Sequence, residues 1–310
     1  MEKKRVALLF LLFGVILIVG CDDPEVPEKS GTFFGGNDGI SASFVKVSPP
    51  SSFDQDDSVA VKVLLENKGE TEIVAGNAKV KIHGINVNNF GLNSDYKATQ
   101  GVLIGKSERS TKGGQQEIDF GRMQYSLPII NTEDFTIRAR LCYNYQTQAK
   151  LDICLKSRIS EEAGEEVCSL AGNKVDEEEG SVSSAPIQIT SITEETRGSD
   201  QVRFDVKIEN LGTGDVFDPS SSCEEIEDDS TRLEKRDKVE INVLNPADVK
   251  CSFITGEESN KGIVRLDNDE GTITCFMDVE ETLEDKLSIN LNYIYRDSVS
   301  KQITIVESTN

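Results

Sequence analysis

Val59-Ala60-Val61-Lys62-Val63-Leu64-Leu65-Glu66-Asn67-Lys68-Gly69 decides the fold. Val59, Val61, Val63 and Leu65 alternate with Ala60, Lys62, Leu64 and Glu66. Strand side chains point to opposite faces in turn, so this is a half-buried strand. Asn67-Lys68-Gly69 supplies turn chemistry at its exit. The stretch recurs as Val202-Arg203-Phe204-Asp205-Val206-Lys207-Ile208-Glu209-Asn210-Leu211-Gly212. Lys207 stands where Leu64 stands, which marks that position as outward-facing. Further on, Val80 and Ile82 read inward, with Lys79, Lys81 and His83 outward. His83 is therefore expected on the solvated surface.

A second match extends the repeat. Leu141-Cys142-Tyr143-Asn144-Tyr145 recurs as Leu291-Asn292-Tyr293-Ile294-Tyr295, and Ile153-Cys154-Leu155 as Ile303-Thr304-Ile305. Short alternating strands, turn residues between them and almost no helical periodicity predict an all-β fold. Two tandem β-sandwiches follow, over 40–156 and 186–307, with a turn near Gln148 closing a Tyr-x-Tyr hairpin. Residues 157–185 are acidic and poor in large apolar side chains, and read as a linker. The four tyrosines, Tyr143, Tyr145, Tyr293 and Tyr295, share one face and read as core with hydroxyls at the rim. A ligand platform is the other reading.

Upstream of this, Lys3-Lys4-Arg5 precedes an apolar run that ends in Ile18-Val19-Gly20-Cys21. That is the layout of an export signal over 1–20. The last four residues resemble the lipobox of prokaryotic lipoproteins, and the resemblance implies lipidation of Cys21. An uncleaved anchor is the alternative, although the run is short of the roughly 20 apolar residues a span needs. Residues 21–39, with Pro24, Pro27 and Gly35-Gly36, read as a tether. Both units resemble the immunoglobulin-like, cell-adhesion-related modules of prokaryotic surface proteins, and the overall plan resembles archaeal membrane-anchored proteins. The resemblance rests on the strand ending in Asn-x-Gly and on the Tyr-x-Tyr segment.

Composition narrows the function. The net charge is −22. Such a surface repels phosphate backbones, which argues against nucleic-acid binding. There is one histidine, His83, and no tryptophan. A Ser-His-Asp triad with a spare histidine and a histidine-type zinc site are nearly excluded by count. Gly212-Thr213-Gly214 lacks the third glycine and following helix of a phosphate loop, and reads as a turn.

Besides Cys21, six cysteines remain: Cys142, Cys154, Cys168, Cys223, Cys251 and Cys275. An even number outside the cytoplasm suggests three disulfides. Symmetric pairing about the turn near Gln148 would bring Cys142 opposite Cys154. Both are absent together from the second repeat, where Asn292 and Thr304 stand. Cys251 and Cys275 lie on alternating stretches and are expected to meet. Cys168 and Cys223 remain, and their bridge would lock the two units.

The acidic runs are the other candidates. Asp176-Glu177-Glu178-Glu179 reads as solvated, partly disordered linker. Glu224, Glu225, Glu227, Asp228 and Asp229, in the insertion between Asp215 and Asp237, are the expected contact for a basic partner. Asp267 and Asp269 present oxygens at alternate positions like the start of a Ca²⁺ loop, but lack its far-end acid. A hairpin turn ending in Gly271 explains them equally well. No cofactor is expected. The sequence thus predicts a non-enzymatic binding or spacer module, lipid-anchored on the outer face of the cytoplasmic membrane. It would hold another exported or membrane protein. The alternatives are an accessory docking subunit of a secretion or pilus-type complex and, further off, a hydrolase using carboxylates.

Overall fold

The computed structural model describes residues 32–157, 168–253, 256 and 258–308. The signal region and Cys21 lie outside the described residues. The first repeat forms β1 (Ile40–Phe44), β2 (Ser52–Asp54), β3 (Val59–Asn67), β4 (Ala78–His83), β5 (Lys97–Ala98), β6 (Gln115–Met123) and β7 (Thr132–Leu155). The second forms β8 (Ile187–Arg197), β9 (Gln201–Asn210), β10 (Asp215–Phe217), β11 (Lys238–Asn245), β12 (Lys250–Ser252) and β13 (Glu258–Ser259). It continues with β14 (Lys261–Arg265), β15 (Glu270–Asp278) and β16 (Leu283–Val306). The chain is an all-β sandwich, as the alternation predicts.

Its central sheet runs β14-β11-β16-β7-β4-β5, with β10 and β2 also paired to β16. A β1-β3-β6 sheet and a β13-β12-β15-β9-β8 sheet make up the rest. The quoted stretch is β3, and Val61, Val63 and Leu65 are fully buried in it. Its repeat is β9, where Val202, Phe204, Val206 and Ile208 are buried. Both belong to one hydrophobic cluster with the inward residues of β4, β7, β11 and β16.

The turn near Gln148 does not exist. β7 and β16 are each 24 residues long and pair antiparallel from Leu283↔Leu155 to Val306↔Thr132. Alternation explains this. Tyr143, Tyr145, Thr147, Ala149, Leu151, Ile153 and Leu155 are all buried, with no break in period two. Nothing between Tyr145 and Leu155 offers glycine, proline or Asn-Gly for a reversal. The first part of β7 pairs with β4, and its far part approaches β8 through a bond from the Cys154 amide to Glu194. The C-terminal end of β16 pairs with β2 of the first repeat. Each long strand thus serves both repeats. The pair Asn144↔Ile294 lies on an approximate two-fold axis that exchanges Tyr143 with Tyr293 and Tyr145 with Tyr295.

The four tyrosines surround this axis, and all are buried. Their hydroxyls hold the repeated turns. Gly214 N–H donates to Tyr295 Oη at 2.7 Å, and Thr71 N–H to Tyr145 Oη at 3.4 Å. Asn67 Nδ2 donates to Thr71 O at 2.8 Å, and Asn210 Nδ2 to Gly214 O at 2.9 Å. Ile40 N–H donates to Tyr143 Oη. A Cβ at Gly69 would collide with the Tyr145 hydroxyl, and one at Gly212 with that of Tyr295. The Asn-x-Gly motif is therefore a seat for a tyrosine hydroxyl.

Two segments read as loose are built in. Residues 32–39 do not form free tether: the Glu70 carboxylate accepts Phe34 N–H at 2.9 Å, Gly35 N–H at 3.1 Å and Ser184 N–H at 2.8 Å. The described part of the linker, 168–185, follows β7. Ser181 O accepts Lys150 N–H and Gln148 O accepts Ser183 N–H, each at 2.8 Å. Small side chains from Ser181 to Ala185 allow that approach, and all are buried. A short helix, α1 (Lys174–Glu177), carries Asp176 and Glu177 of the linker. Cys154 pairs with Cys168, 14 residues on, and pins this segment to β7. Cys251 pairs with Cys275, as expected, across β12 and β15.

Candidate functional site

Strand register sets out a basic field on the outer face of the central sheet. Odd residues of β4 and even residues of β7 and β16 point away from the tyrosine core. Lys79 lies beside Cys142, Lys81 beside Arg140 and His83 beside Arg138. Across the next strand, Cys142 faces Arg296, Arg140 faces Ser298 and Arg138 faces Ser300. Five cations and the chain's single histidine therefore share one face of a protein with net charge −22.

The acidic insertion lies on this field. β10, a 3-10 turn at Glu225–Glu227 and α2 (Asp229–Lys235) form it. Phe217, Cys223 and Ile226 pack with Cys142 and Ile294 in a small separate cluster, with Tyr96 at its edge. Cys142 and Cys223 are disulfide-bonded, 81 residues apart in sequence. This corrects two expected bridges, Cys142–Cys154 and Cys168–Cys223. In one continuous strand, Cys142 and Cys154 lie twelve positions apart, far beyond disulfide reach. A lock between the repeats exists, but Cys142 makes it in place of Cys168.

Glu227 is the centre of the contact. Its carboxylate accepts Lys81 Nζ at 2.8 Å, Arg140 Nη1 at 2.7 and 2.8 Å, and Tyr96 Oη at 2.9 Å. Burial pushes this carboxyl up, but the bonds from Lys81 and Arg140 outweigh it and hold it at about 2. Burial, and then the Glu227 charge, raise the Tyr96 hydroxyl far above its usual range, so it stays a donor. Glu224 takes Lys79 Nζ at 2.8 and 2.9 Å. At the other edge, Asp215 pairs with Arg236 at 2.6 Å and Arg296 at 3.1 Å. The Arg296 guanidinium also lies 4.8 Å from the Phe217 ring centroid.

The five acids expected to meet a partner thus have different situations. Glu224 and Glu227 bind the first repeat of their own chain. Asp228 caps α2 by accepting Thr231 N–H at 2.9 Å. Glu225 accepts Ser222 N–H at 2.8 Å and stays exposed. Asp229 points outward, with Arg232 beside it. The outward set of the insertion is therefore Glu225, Asp229 and Glu234, around Leu233, which is 74 % exposed.

Beyond the insertion the field stays open. His83, Arg138, Arg140, Thr213, Asp215, Arg296, Asp297, Ser298 and Ser300 line a polar cleft of about 520 Å³. His83 is half-buried, which corrects its expected surface position. Burial, then Arg140 and Arg138, depress its imidazole to about 4, so it is neutral at pH 7. Sequence reading missed this field, although Lys79-x-Lys81-x-His83 and Arg138-x-Arg140 were visible as outward cations at strand spacing.

Asp267 and Asp269 form a hairpin corner. Asn268 and Asp269 have φ of 53° and 66°, the two left-handed residues of a type I′ turn. Asp269 accepts Asn210 Nδ2 at 3.1 Å. Among the described residues no group of three metal-ligating side chains forms, and no helix is long and apolar enough to cross a membrane. No protein-family model and no curated protein matches this chain.

Proposed function

We propose that this chain is a membrane-anchored, extracytoplasmic and non-enzymatic module, a rigid spacer that presents a binding surface. The observation that carries the reading is the double lock between the repeats. A shared ladder of two 24-residue strands and the Cys142–Cys223 bridge make one stiff frame from two copies. Three disulfides suit an oxidising compartment. The export signal and lipobox-like Cys21 supply the anchor, in an immunoglobulin-like surface protein of prokaryotic type.

The partner would meet the outward edge of the insertion, Glu225, Asp229 and Glu234 around Leu233. Neutralising Glu224 or Glu227 would break the internal contact and obscure the result. The informative variant is Glu225→Gln with Asp229→Asn and Glu234→Gln. Crosslinking on intact cells, followed by capture and mass spectrometry, tests the reading. It predicts membrane-fraction recovery that Cys21→Ser abolishes, and one dominant exported partner lost in the triple variant. Recovery unaffected by Cys21→Ser would overturn the lipid anchor. A partner retained by the triple variant would overturn the contact surface.

A further inference from the structure

The insertion covers only part of the basic field, and what it leaves open has the chemistry of an anion site. We propose that the cleft at His83, Arg138, Arg140, Ser298 and Ser300 binds a small phosphorylated or sulfated molecule through its oxyanion. Arg138 carries the argument. Its guanidinium is exposed and has no carboxylate or other hydrogen-bond partner among the described residues, whereas every other cation of the field has one. A planar guanidinium matches a tetrahedral oxyanion with two parallel N–H donors. Ser300 lies directly across the ladder from it, and Ser298 across from Arg140. Both serines are exposed, and a serine hydroxyl can donate to an oxyanion.

The insertion already shows how this field is satisfied. The Glu227 carboxylate sits between Lys81 and Arg140 much as a ligand oxyanion would sit beside Arg138. His83 lines the same cleft, and its buried Nε2 has no hydrogen-bond partner among the described residues. Burial first, and then the charges of Arg140 and Arg138, depress the imidazole. Two acids of the cleft oppose an anion: Asp215, which Arg236 and Arg296 already neutralise, and Asp297. Asp297 lines the cleft while accepting Thr213 Oγ1 at 3.2 Å and Ser298 N–H at 2.6 Å.

Size and charge select the ligand class. A cleft of about 520 Å³ falls in the range of small-molecule sites. Fields decay over roughly 8 Å at physiological salt, so one oxyanion feels Arg138 and its neighbours. A long polyanion would also meet the acidic remainder of the surface and be repelled. The site does not depend on the anchor or on the partner surface proposed above.

The test titrates the full chain with glycerol phosphate, inorganic phosphate and sulfate at constant ionic strength. Backbone amide shifts at His83, Arg138 and Ser300 report the site. Saturable shifts with glycerol phosphate and none with glycerol are expected. Arg138→Gln should weaken binding at least about tenfold, the scale of one charge-assisted bidentate contact. Asp297→Asn should tighten it several-fold, while Glu117→Gln, the same charge change on a distant strand, should leave it unaltered. Binding that saturates with the free ions but gains nothing from the organic part would mark an adventitious ion only and overturn the small-molecule assignment. Absence of saturation, unchanged affinity in Arg138→Gln, or tighter binding by polyphosphate would overturn the site itself.

Discussion

Replacing Glu227 with glutamine should loosen the contact between the repeats, and the loss should depend on pH in a defined direction. The folded carboxyl lies at about 2 against an ordinary 4.5. At 1.36 kcal/mol per pH unit, that difference corresponds to at most about 3 kcal/mol of stability. Glu227, Lys81 and Arg140 are about a quarter exposed or less, at 22 %, 23 % and 24 %. Solvent reaches the cluster in part, so about 2 kcal/mol at pH 7 is the working figure. Glutamine retains one acceptor for Arg140 or Tyr96 but leaves two cations without a counter-charge. The sign follows from the lowered value. Stabilisation is complete above the unfolded value and is lost as pH falls through 4.5 towards 2. Urea titrations of the full chain and of Glu227→Gln at pH 7, 4 and 2.5 measure it, with hydrogen exchange across 225–236 as a local reading. The two proteins should differ by about 2 kcal/mol at pH 7 and by only about 0.5 kcal/mol at pH 2.5. A difference below about 0.5 kcal/mol at pH 7, typical of an exposed pair, would refute the reasoning. So would one that persisted undiminished in acid.

Glu194 behaves in the opposite sense. Its carboxylate is fully enclosed, accepts the Cys154 amide with both oxygens at 3.1 Å, and is raised to about 7 by burial. A raised carboxyl costs nothing below 4.5 and loses stability as pH rises through 7. Glu194→Gln should therefore be the more stable protein at pH 8, by at most about 3 kcal/mol, and equal at pH 4. Denaturation midpoints at both pH values check this. Gly69→Ala and Gly212→Ala should each destabilise by about 1–3 kcal/mol through collision with a tyrosine hydroxyl. Gly101→Ala, with open space around it, should be neutral in the same melting series.

Alternation along β3 and β9 was enough to read the sandwich and the repeat, because burial on one face writes itself into every second residue. The tyrosines followed from the same rule. Pairing between distant strands leaves no such mark. Tyr143 to Leu155 reads as two strands if a turn is assumed at Gln148 and as one if it is not. That single choice misassigned Cys142 and Cys154 together. The insertion was legible as acidic but not as bound, since its counter-charges lie about eighty to a hundred and fifty residues away on β4 and β7. Small residues gave the stretch from Ser181 to Ala185 the composition of a linker. Their size is also what lets it pack on β7.

Peptide mapping without reduction tests the account most directly, because the bridges record which strands meet. The structure predicts linked peptides containing Cys142 with Cys223, Cys154 with Cys168, and Cys251 with Cys275. Recovery of Cys142 linked to Cys154, with Cys168 linked to Cys223, would contradict it. The long strand would then have to turn back on itself, and the acidic insertion would lose its covalent hold on the basic face.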